Sequence, residues 1–269
     1  MSHTRPLPSS LRRTAIAVLA LALVACGTRK PVPPPSPERL AMMSAELASQ
    51  EQRLAAWAGD TSDSSPIVTR VVFDRGMYKP GIERLRVVRR QNTMNNVAAQ
   101  VVLNVALIAL TRGVAVQGFS KENLAGDEMT ELADDPVARN PAMQEIADGL
   151  GRVATRFYAR RAIDNLATAK TDGSTAEEIA SYSRMPQDLG TPLTPGGWQL
   201  VYENLAADDD LYRLKFGANL GRSAGCSYIS DPLTWSAWQA DGWQRLREER
   251  AKATTQCVAT LGAAIAANW

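Results

Sequence analysis

The chain has 269 residues, 45% of them hydrophobic, and a formal net charge of +2. This length and composition suffice for a folded body with its own core, as one domain or two small ones. So small a net charge argues against a nucleic-acid partner. A single histidine, His3, argues against a zinc site built from imidazoles.

The first residues have the three parts of an export signal. Arg5, Arg12 and Arg13 give a positive start, and an unbroken apolar run of 11 residues follows from Ala15 to Ala25. A helix that spans a bilayer needs about 20 apolar residues. The segment therefore predicts an export signal and not a permanent membrane anchor.

The end of the run, Leu23-Val24-Ala25-Cys26, resembles the lipobox of bacterial lipoproteins. The resemblance covers residues 1–27. It implies that a signal peptide, residues 1–25, is removed, and that Cys26 receives a diacylglycerol on sulfur and an acyl chain such as palmitate on its new amino group. Such multiple acylation would anchor the chain stably.

Gly27 is not the aspartate that retains such proteins in the inner membrane of many Gram-negative bacteria. The resemblance therefore implies attachment to the outer membrane, on the periplasmic side. The alternative is an ordinary secretory signal that is cut near Ala25 and leaves Cys26 as a plain thiol.

Removal of residues 1–25 would leave 27 basic side chains against 28 acidic ones, and no histidine. That excludes a Ser–His–Asp or Cys–His catalytic unit. We predict no catalytic residue, no cofactor and no metal site. An exported compartment is oxidising, so the two remaining cysteines, Cys226 and Cys257, predict a disulfide.

A proline-rich tether, residues 26–37, should hold the body away from the lipid. A leading helix over residues 38–60 should follow, with Ser36 as its N-cap and Pro37 in its first turn. Its apolar stripe is formed by Leu40, Met43, Leu47, Leu54 and Trp57. This helix would either pack on its own body or form a coiled coil with a partner.

We predict a mainly helical core region over residues 66–195, which begins with two strand-like runs. Residues 67–73 are rich in β-branched side chains, and residues 83–90 alternate in part, with a turn at residues 79–81 between them. Residues 97–111 carry no charge and should form either a buried helix or an element that contacts the bilayer.

The second half of this region should be helical. Asn140-Pro141 is typical of a helix start, and Ile146, Leu150, Val153 and Phe157 form a core stripe. The row Arg152, Arg156, Arg160 could receive an anion or simply face solvent. A short helix is expected at residues 177–182. A loop and segment boundary is expected at residues 186–197 because three prolines and three glycines fall there.

Residues 196–269 predict a hairpin and a C-terminal helix. Residues 198–202 and 214–220 alternate in the manner of two antiparallel strands with one wet face. Asp231-Pro232 should start the last helical region, and Gly242 should kink it. The buried stripe of this helix is Trp235, Trp238, Leu246, Ala253, Cys257, Leu261 and Ile265.

Together these features predict an α+β fold, mostly helical, with a small antiparallel sheet and a C-terminal hairpin packed by a disulfide-linked helix. The preferred function is that of a non-enzymatic, lipid-anchored lipoprotein facing the periplasm that binds another envelope protein. An immunity or inhibitor lipoprotein is one concrete form.

Two other functions remain open. One is a carboxylate-dependent enzyme or binder acting on peptidoglycan, for which tryptophans 235, 238, 243 and 269 could stack on sugar rings. The other is contact with the bilayer through residues 97–111.

Overall fold

The structure is a computed structural model that describes residues 36–59, 65–73, 81–91, 126–203 and 210–268. The chain divides into two compact units, residues 1–46 and 47–269. The lipobox, nearly all of the tether and the apolar run 97–111 lie outside the described residues, so the predictions for Cys26 and for bilayer contact stay predictions.

Helix α1 (Pro37–Ala58) begins where the sequence predicts. The Ser36 hydroxyl accepts a hydrogen bond from the Arg39 amide at 3.3 Å, which confirms the cap. Within the larger unit, Leu54 is fully buried among Ala159, Ala162 and Leu166. This half of α1 therefore packs on its own body.

Six strands form one mixed sheet with the order β2–β1–β3–β4–β5. The strands are β1 (Arg86–Val88), β2 (Asp127–Glu128), β3 (Leu193–Tyr202), β4 (Leu211–Leu220), β5 (Ala224–Ile229) and β6 (Leu233–Thr234). Strand β6 pairs with the start of β4. The α+β fold and the predicted hairpin, β3 with β4, are confirmed.

The sheet is not purely antiparallel, because β1 lies parallel to β3. The connection between these two strands includes β2 and helix α2 (Glu145–Thr171), which returns the chain so that both strands run the same way. Strand β1 precedes the predicted boundary near residue 195 and β4 follows it, so the sheet contains strands from both predicted regions.

One long helix packs against the sheet, and a second helix packs against the first. Helix α4 (Trp235–Asn268) packs on β4 and β5, and α2 packs on α4. Every residue of the predicted α4 stripe except the half-buried Trp235 is buried. The predicted disulfide is present: Cys226 of β5 bonds Cys257 of α4 across 5.3 Å between Cα atoms.

The prediction of a strand at residues 67–73 is wrong, because the segment does not form a continuous ladder. The segment makes only isolated parallel bridges, from Val68 to Asp188 and from Val71 to Leu193. Buried and exposed side chains still alternate along the segment, since Ile67 and Thr69 are buried and Val68 is exposed. β-branched residues favour a half-buried extended segment, but a ladder also needs a continuous partner.

The loop predicted at residues 186–197 is wrong in its second half, because β3 already begins at Leu193. Pro195 and Gly196 sit at a shift of register between β3 and β4. A Cβ on Gly196 would come within 2.5 Å of the Gly217 carbonyl oxygen, so glycine permits a close approach of two strands.

Strand β3 also lacks the predicted wet face. Its residues from Trp198 to Tyr202 are all buried, whereas β4 alternates as predicted between buried and half-buried residues. Strand β3 is flanked on both sides, by β1 and β4, and central strands are commonly buried on both faces.

Two predicted helix starts are displaced by a few residues. Asn140 accepts a hydrogen bond from the Ala142 amide at 3.0 Å, but it caps a single 3₁₀ turn, Pro141–Met143, and α2 begins at Glu145. The last helix is displaced in the same way. The predicted start Asp231-Pro232 is followed by β6, and α4 begins after it, capped by the hydroxyl of Thr234. Proline sets the backbone φ but does not choose between a 3₁₀ turn, a strand and an α-helix.

Two further helical predictions agree with the structure. Helix α3 (Ala176–Tyr182) has a capping box between Thr175 and Glu178. The predicted kink at Gly242 is confirmed: α4 is interrupted at Ala240–Trp243, where Asp241, Gly242 and Trp243 all have positive φ.

Candidate binding groove

A groove of about 530 Å³ runs between α2 and α4. Its floor is made of β-branched side chains, Val153 and Val258, which are half-buried. Arginines of α2 line one side, and the hydroxyls of Thr254 and Thr255 line the other. An apolar floor with polar walls is the general form of a site that binds a side chain or a peptide.

Two glycines set the depth of this groove by letting the helices approach closely. A Cβ on Gly149 would lie 2.6 Å from a methyl group of Val258, and a Cβ on Gly262 would lie 3.1 Å from one of Val153. The contacts are reciprocal, since each helix offers a glycine to a valine of the other. The floor is therefore a tight helix contact.

The predicted arginine row divides between two roles. Arg152 and Arg156 line the groove, Arg152 exposed and Arg156 half-buried. Arg160 instead donates a hydrogen bond from Nε to the carbonyl oxygen of Ala58, at 3.3 Å, and so holds the end of α1. Only the first two members can meet a ligand in the groove.

Beyond Thr254 the groove continues into a charged part of about 610 Å³. Here Arg250 forms an ion pair with Glu145 at 2.9 Å, and Thr254 donates to the same carboxylate at 3.3 Å. Arg250 also donates to the carbonyl oxygens of Val137 and Arg139. This arginine joins α4 to the start of α2 and to the turn before it, so its role is structural.

Arg247 acts in the same way at the neighbouring turn. Its guanidinium lies 2.5 Å from a carboxylate oxygen of Asp135 and also donates to the carbonyl oxygen of Gly242. Asp135 caps the 3₁₀ turn Pro136–Ala138. The charged part of the groove is therefore largely self-paired, and the apolar part beside Arg152 is more open to a ligand.

The arrangement does not form a glycosidase-like cleft within the described residues. Glu145 and Asp148 line the same stretch, but Glu145 is held by Arg250 and Thr254. Trp198, over which Arg250 lies, is 1% exposed.

Three of the tryptophans that could stack on sugars pack inside the fold. Trp238 is fully buried and donates from its indole nitrogen to the Tyr212 carbonyl oxygen at 3.0 Å. Trp235 makes edge contacts with Tyr212 and Trp243, and Arg89 lies 4.8 Å from the centre of its ring. These rings hold the kinked start of α4 against the sheet. Trp269 lies outside the described residues.

Among the described residues, the most buried carboxylate is that of Glu249 on α4. Glu249, 3% exposed at its side chain, accepts hydrogen bonds from the Tyr228 hydroxyl and from Lys252 at 2.8 Å, and it pairs with Arg245 at 2.9 Å. Burial favours a raised pKa for Glu249, but the bonds from Lys252 and Tyr228 and the charge of Arg245 outweigh it and lower the pKa. Burial and the bond to Glu249 raise the pKa of Tyr228.

The α4 side of the groove is not among the predicted binding residues. The signal is present, because Thr254, Val258 and Gly262 recur every four residues, directly after the core positions Ala253, Cys257 and Leu261. Such a second stripe one residue from the core indicates a helix that also packs sideways. Glu249 was not identified either, because a carboxylate's burial does not show in a pattern of apolar residues.

Among the described helices, none combines the length and the hydropathy that a bilayer-spanning segment requires. No cluster of three or more His, Cys, Asp or Glu side chains suited to a metal ion occurs in the part of the chain that the structure describes. No family model, curated protein or solved structure matches the chain.

Proposed function

We propose that the protein is a non-enzymatic lipoprotein of the bacterial outer membrane, attached through Cys26 on the periplasmic side, that binds another envelope protein. The groove between α2 and α4 is the proposed binding site. An immunity or inhibitor lipoprotein remains one form of this function.

The observation that carries the binding proposal is the groove beside Arg152. Its apolar floor offers area for burial, and Arg152 and Arg156 add positive charge on one wall. The groove therefore suits a partner that presents an apolar side chain next to an acidic one. The apolar side chain would contact Val153 and Val258, and the acidic one would lie beside the arginine wall. The lipobox at residues 23–26 supports the proposed location.

The binding proposal is tested by site-specific photo-crosslinking in intact envelopes. A photoreactive residue would replace Thr255 or Ala259, both exposed at the groove. The control is the same residue at Asp164, exposed on α2 but not part of the groove. We expect one protein adduct, identified by mass, from both groove positions and not from the control.

Peptidoglycan fragments as the adduct would replace this proposal by the peptidoglycan-binding alternative. The same protein captured equally at Asp164 would show that the groove is not the site.

The anchor is tested separately by Cys26→Ser. If Cys26 carries the lipid, this variant should leave the membrane fraction or remain unprocessed, because the acceptor sulfur is missing. Fractionation followed by mass measurement of the chain is the readout. Normal membrane retention of the variant, with a mature mass, would contradict lipid attachment at Cys26.

A further inference from the structure

Strand β5 is an edge of the sheet whose backbone groups face outward at three residues. The Ser230 amide donates to the Leu214 carbonyl oxygen of β4, and alternation along an antiparallel strand then turns the N–H and C=O groups of Gly225, Ser227 and Ile229 away from β4. Within the described part of the chain, the one bond to these groups comes from Gln256, which donates to the Ser227 carbonyl oxygen at 3.1 Å.

The edge lacks the features that commonly prevent strand pairing between molecules. Residues 224–229 contain no charged residue and no proline, and the ladder between β4 and β5 has no bulge. Natural edge strands are usually protected by lysine, proline or a bulge. Ile229 is 57% exposed at this edge, although it is a large apolar side chain.

The edge is complementary to itself. Antiparallel pairing about a two-fold axis at Ser227 places Gly225 of one copy opposite Ile229 of the other, so that the exposed isoleucine meets a residue without a side chain. The ends carry opposite charges, Arg222 before the strand and Asp231 after it, and both are exposed. Antiparallel pairing brings each Arg222 to the end where the other copy has Asp231.

We propose that β5 pairs antiparallel with β5 of a second copy of this chain and so joins the two sheets into one. The pairing engages the outward groups of Gly225, Ser227 and Ile229, and Gln256 turns away from the Ser227 carbonyl. A strand of six residues buries little area, so the dimer is weak and forms where the chain is concentrated. The proposal is independent of the groove and its ligand.

The first test compares variants of the processed chain by sedimentation in density-matched detergent. Ser227→Pro removes an outward N–H and leaves the N–H groups that bond β4, a position where an edge strand tolerates proline, whereas Ser227→Thr keeps the outward N–H. We expect a concentration-dependent dimer in the unaltered chain and in Ser227→Thr, and dimerisation weaker by about tenfold or more in Ser227→Pro. A chain that stays monomeric up to about 1 mM, or a dimer that Ser227→Pro leaves unchanged, would overturn the proposal.

Hydrogen exchange locates the contact. The amides of Gly225, Ser227 and Ile229 should exchange more slowly as the concentration rises, while those of the exposed helix α3 should not change. A dimer whose formation leaves the three β5 amides unprotected uses another surface and would also refute the pairing.

A charge exchange tests the register without altering the strand, and it serves if Ser227→Pro proves unfolded in a thermal melt. Arg222→Glu and Asp231→Arg should each weaken the dimer, because like charges then meet at both ends. The two changes in one chain should restore it, since each end again has opposite charges. Failure of the double variant to recover would rule out antiparallel pairing about Ser227.

Discussion

At the scale of single residues, Glu249 shows how a buried charge is held in this fold. Its carboxylate has three partners, Tyr228, Lys252 and Arg245, so the cost of removing it from water is offset by charge-assisted hydrogen bonds. Glu249 belongs to α4 and accepts a hydrogen bond from Tyr228 of β5, so the carboxylate joins the helix to the sheet. Its role is therefore in stability.

Glu249→Gln should destabilise the chain by about 2 kcal/mol at neutral pH, because a buried charged acceptor is lost. The lowered pKa of Glu249 means that its contribution is present above the ordinary value of 4.5 and is lost as the pH falls through the folded-state pKa. Urea unfolding of both chains between pH 7 and pH 3 measures this. The difference between the chains should shrink in acid.

The control for this comparison is Glu248→Gln. Glu248 is exposed and pairs with Arg245 at 3.3 Å, and an exposed pair contributes little. An equal loss of stability in both variants would contradict the role assigned to the buried carboxylate.

The second prediction at the residue scale concerns the left-handed backbone of α4 at Gly242. Gly242 has φ of 61° and no atom within 4 Å of the place where a Cβ would stand. Gly242→Ala should therefore cost about 1 kcal/mol through backbone conformation alone. Gly217→Ala is the control, since this strand glycine has an ordinary φ and only a van der Waals contact at 3.6 Å. Thermal unfolding that shows a more stable Gly242→Ala chain would refute the left-handed turn.

At the scale of elements, the contact of α2 with α4 determines the groove. Glycine in a helix interior normally lowers stability relative to alanine by up to about 1 kcal/mol. At Gly149 the sign should be reversed, because the added methyl group would meet Val258 at 2.6 Å. Packing therefore outweighs helix propensity at this position.

Gly149→Ala should destabilise the chain, and Val258→Ala in the same chain should recover part of the loss because it removes the methyl group in conflict. Denaturant unfolding of the two single variants and the double variant gives the coupling between them. Additive losses would show that the helices do not touch at this point. Gly217→Ala is again the control, because this glycine has an ordinary φ and only one contact, at 3.6 Å, where the Cβ would stand.

At the scale of the whole molecule, the disulfide links the edge of the sheet to the helix that covers it. Cys226 and Cys257 are separated by 31 residues, and the intervening chain contains the end of β5, all of β6 and the kink of α4. The bond limits the separation of these elements in the unfolded chain. Its loss should affect the whole unit from Leu47 to Trp269 and not a single element.

Reduction, or the pair Cys226→Ala and Cys257→Ala, should lower the free energy of unfolding by about 3–4 kcal/mol on the chain-entropy estimate. Denaturant unfolding with and without reductant measures this loss, and mass analysis of the unreduced chain should show both thiols oxidised within one molecule. Two free thiols in chain recovered from the periplasm would contradict the bond.

The sequence by itself determined the features that depend on local pattern. The period of the apolar residues gave the α4 stripe, Ser36 gave the start of α1, and alternation gave the β3–β4 hairpin, because each follows from the geometry of one element. The disulfide followed from the even count of cysteines in a chain whose first residues predict export.

The tertiary structure decided what depends on distant partners. Only the presence of β1 beside β3 makes the sheet mixed and buries both faces of β3, and only the Gly217 carbonyl explains why Gly196 lies within a strand. The groove exists because Gly149 meets Val258 from another helix. Glu249 can be buried because two cations, Arg245 and Lys252, and the Tyr228 hydroxyl surround it in space. Such contacts join residues far apart in the chain, and a local pattern does not record them.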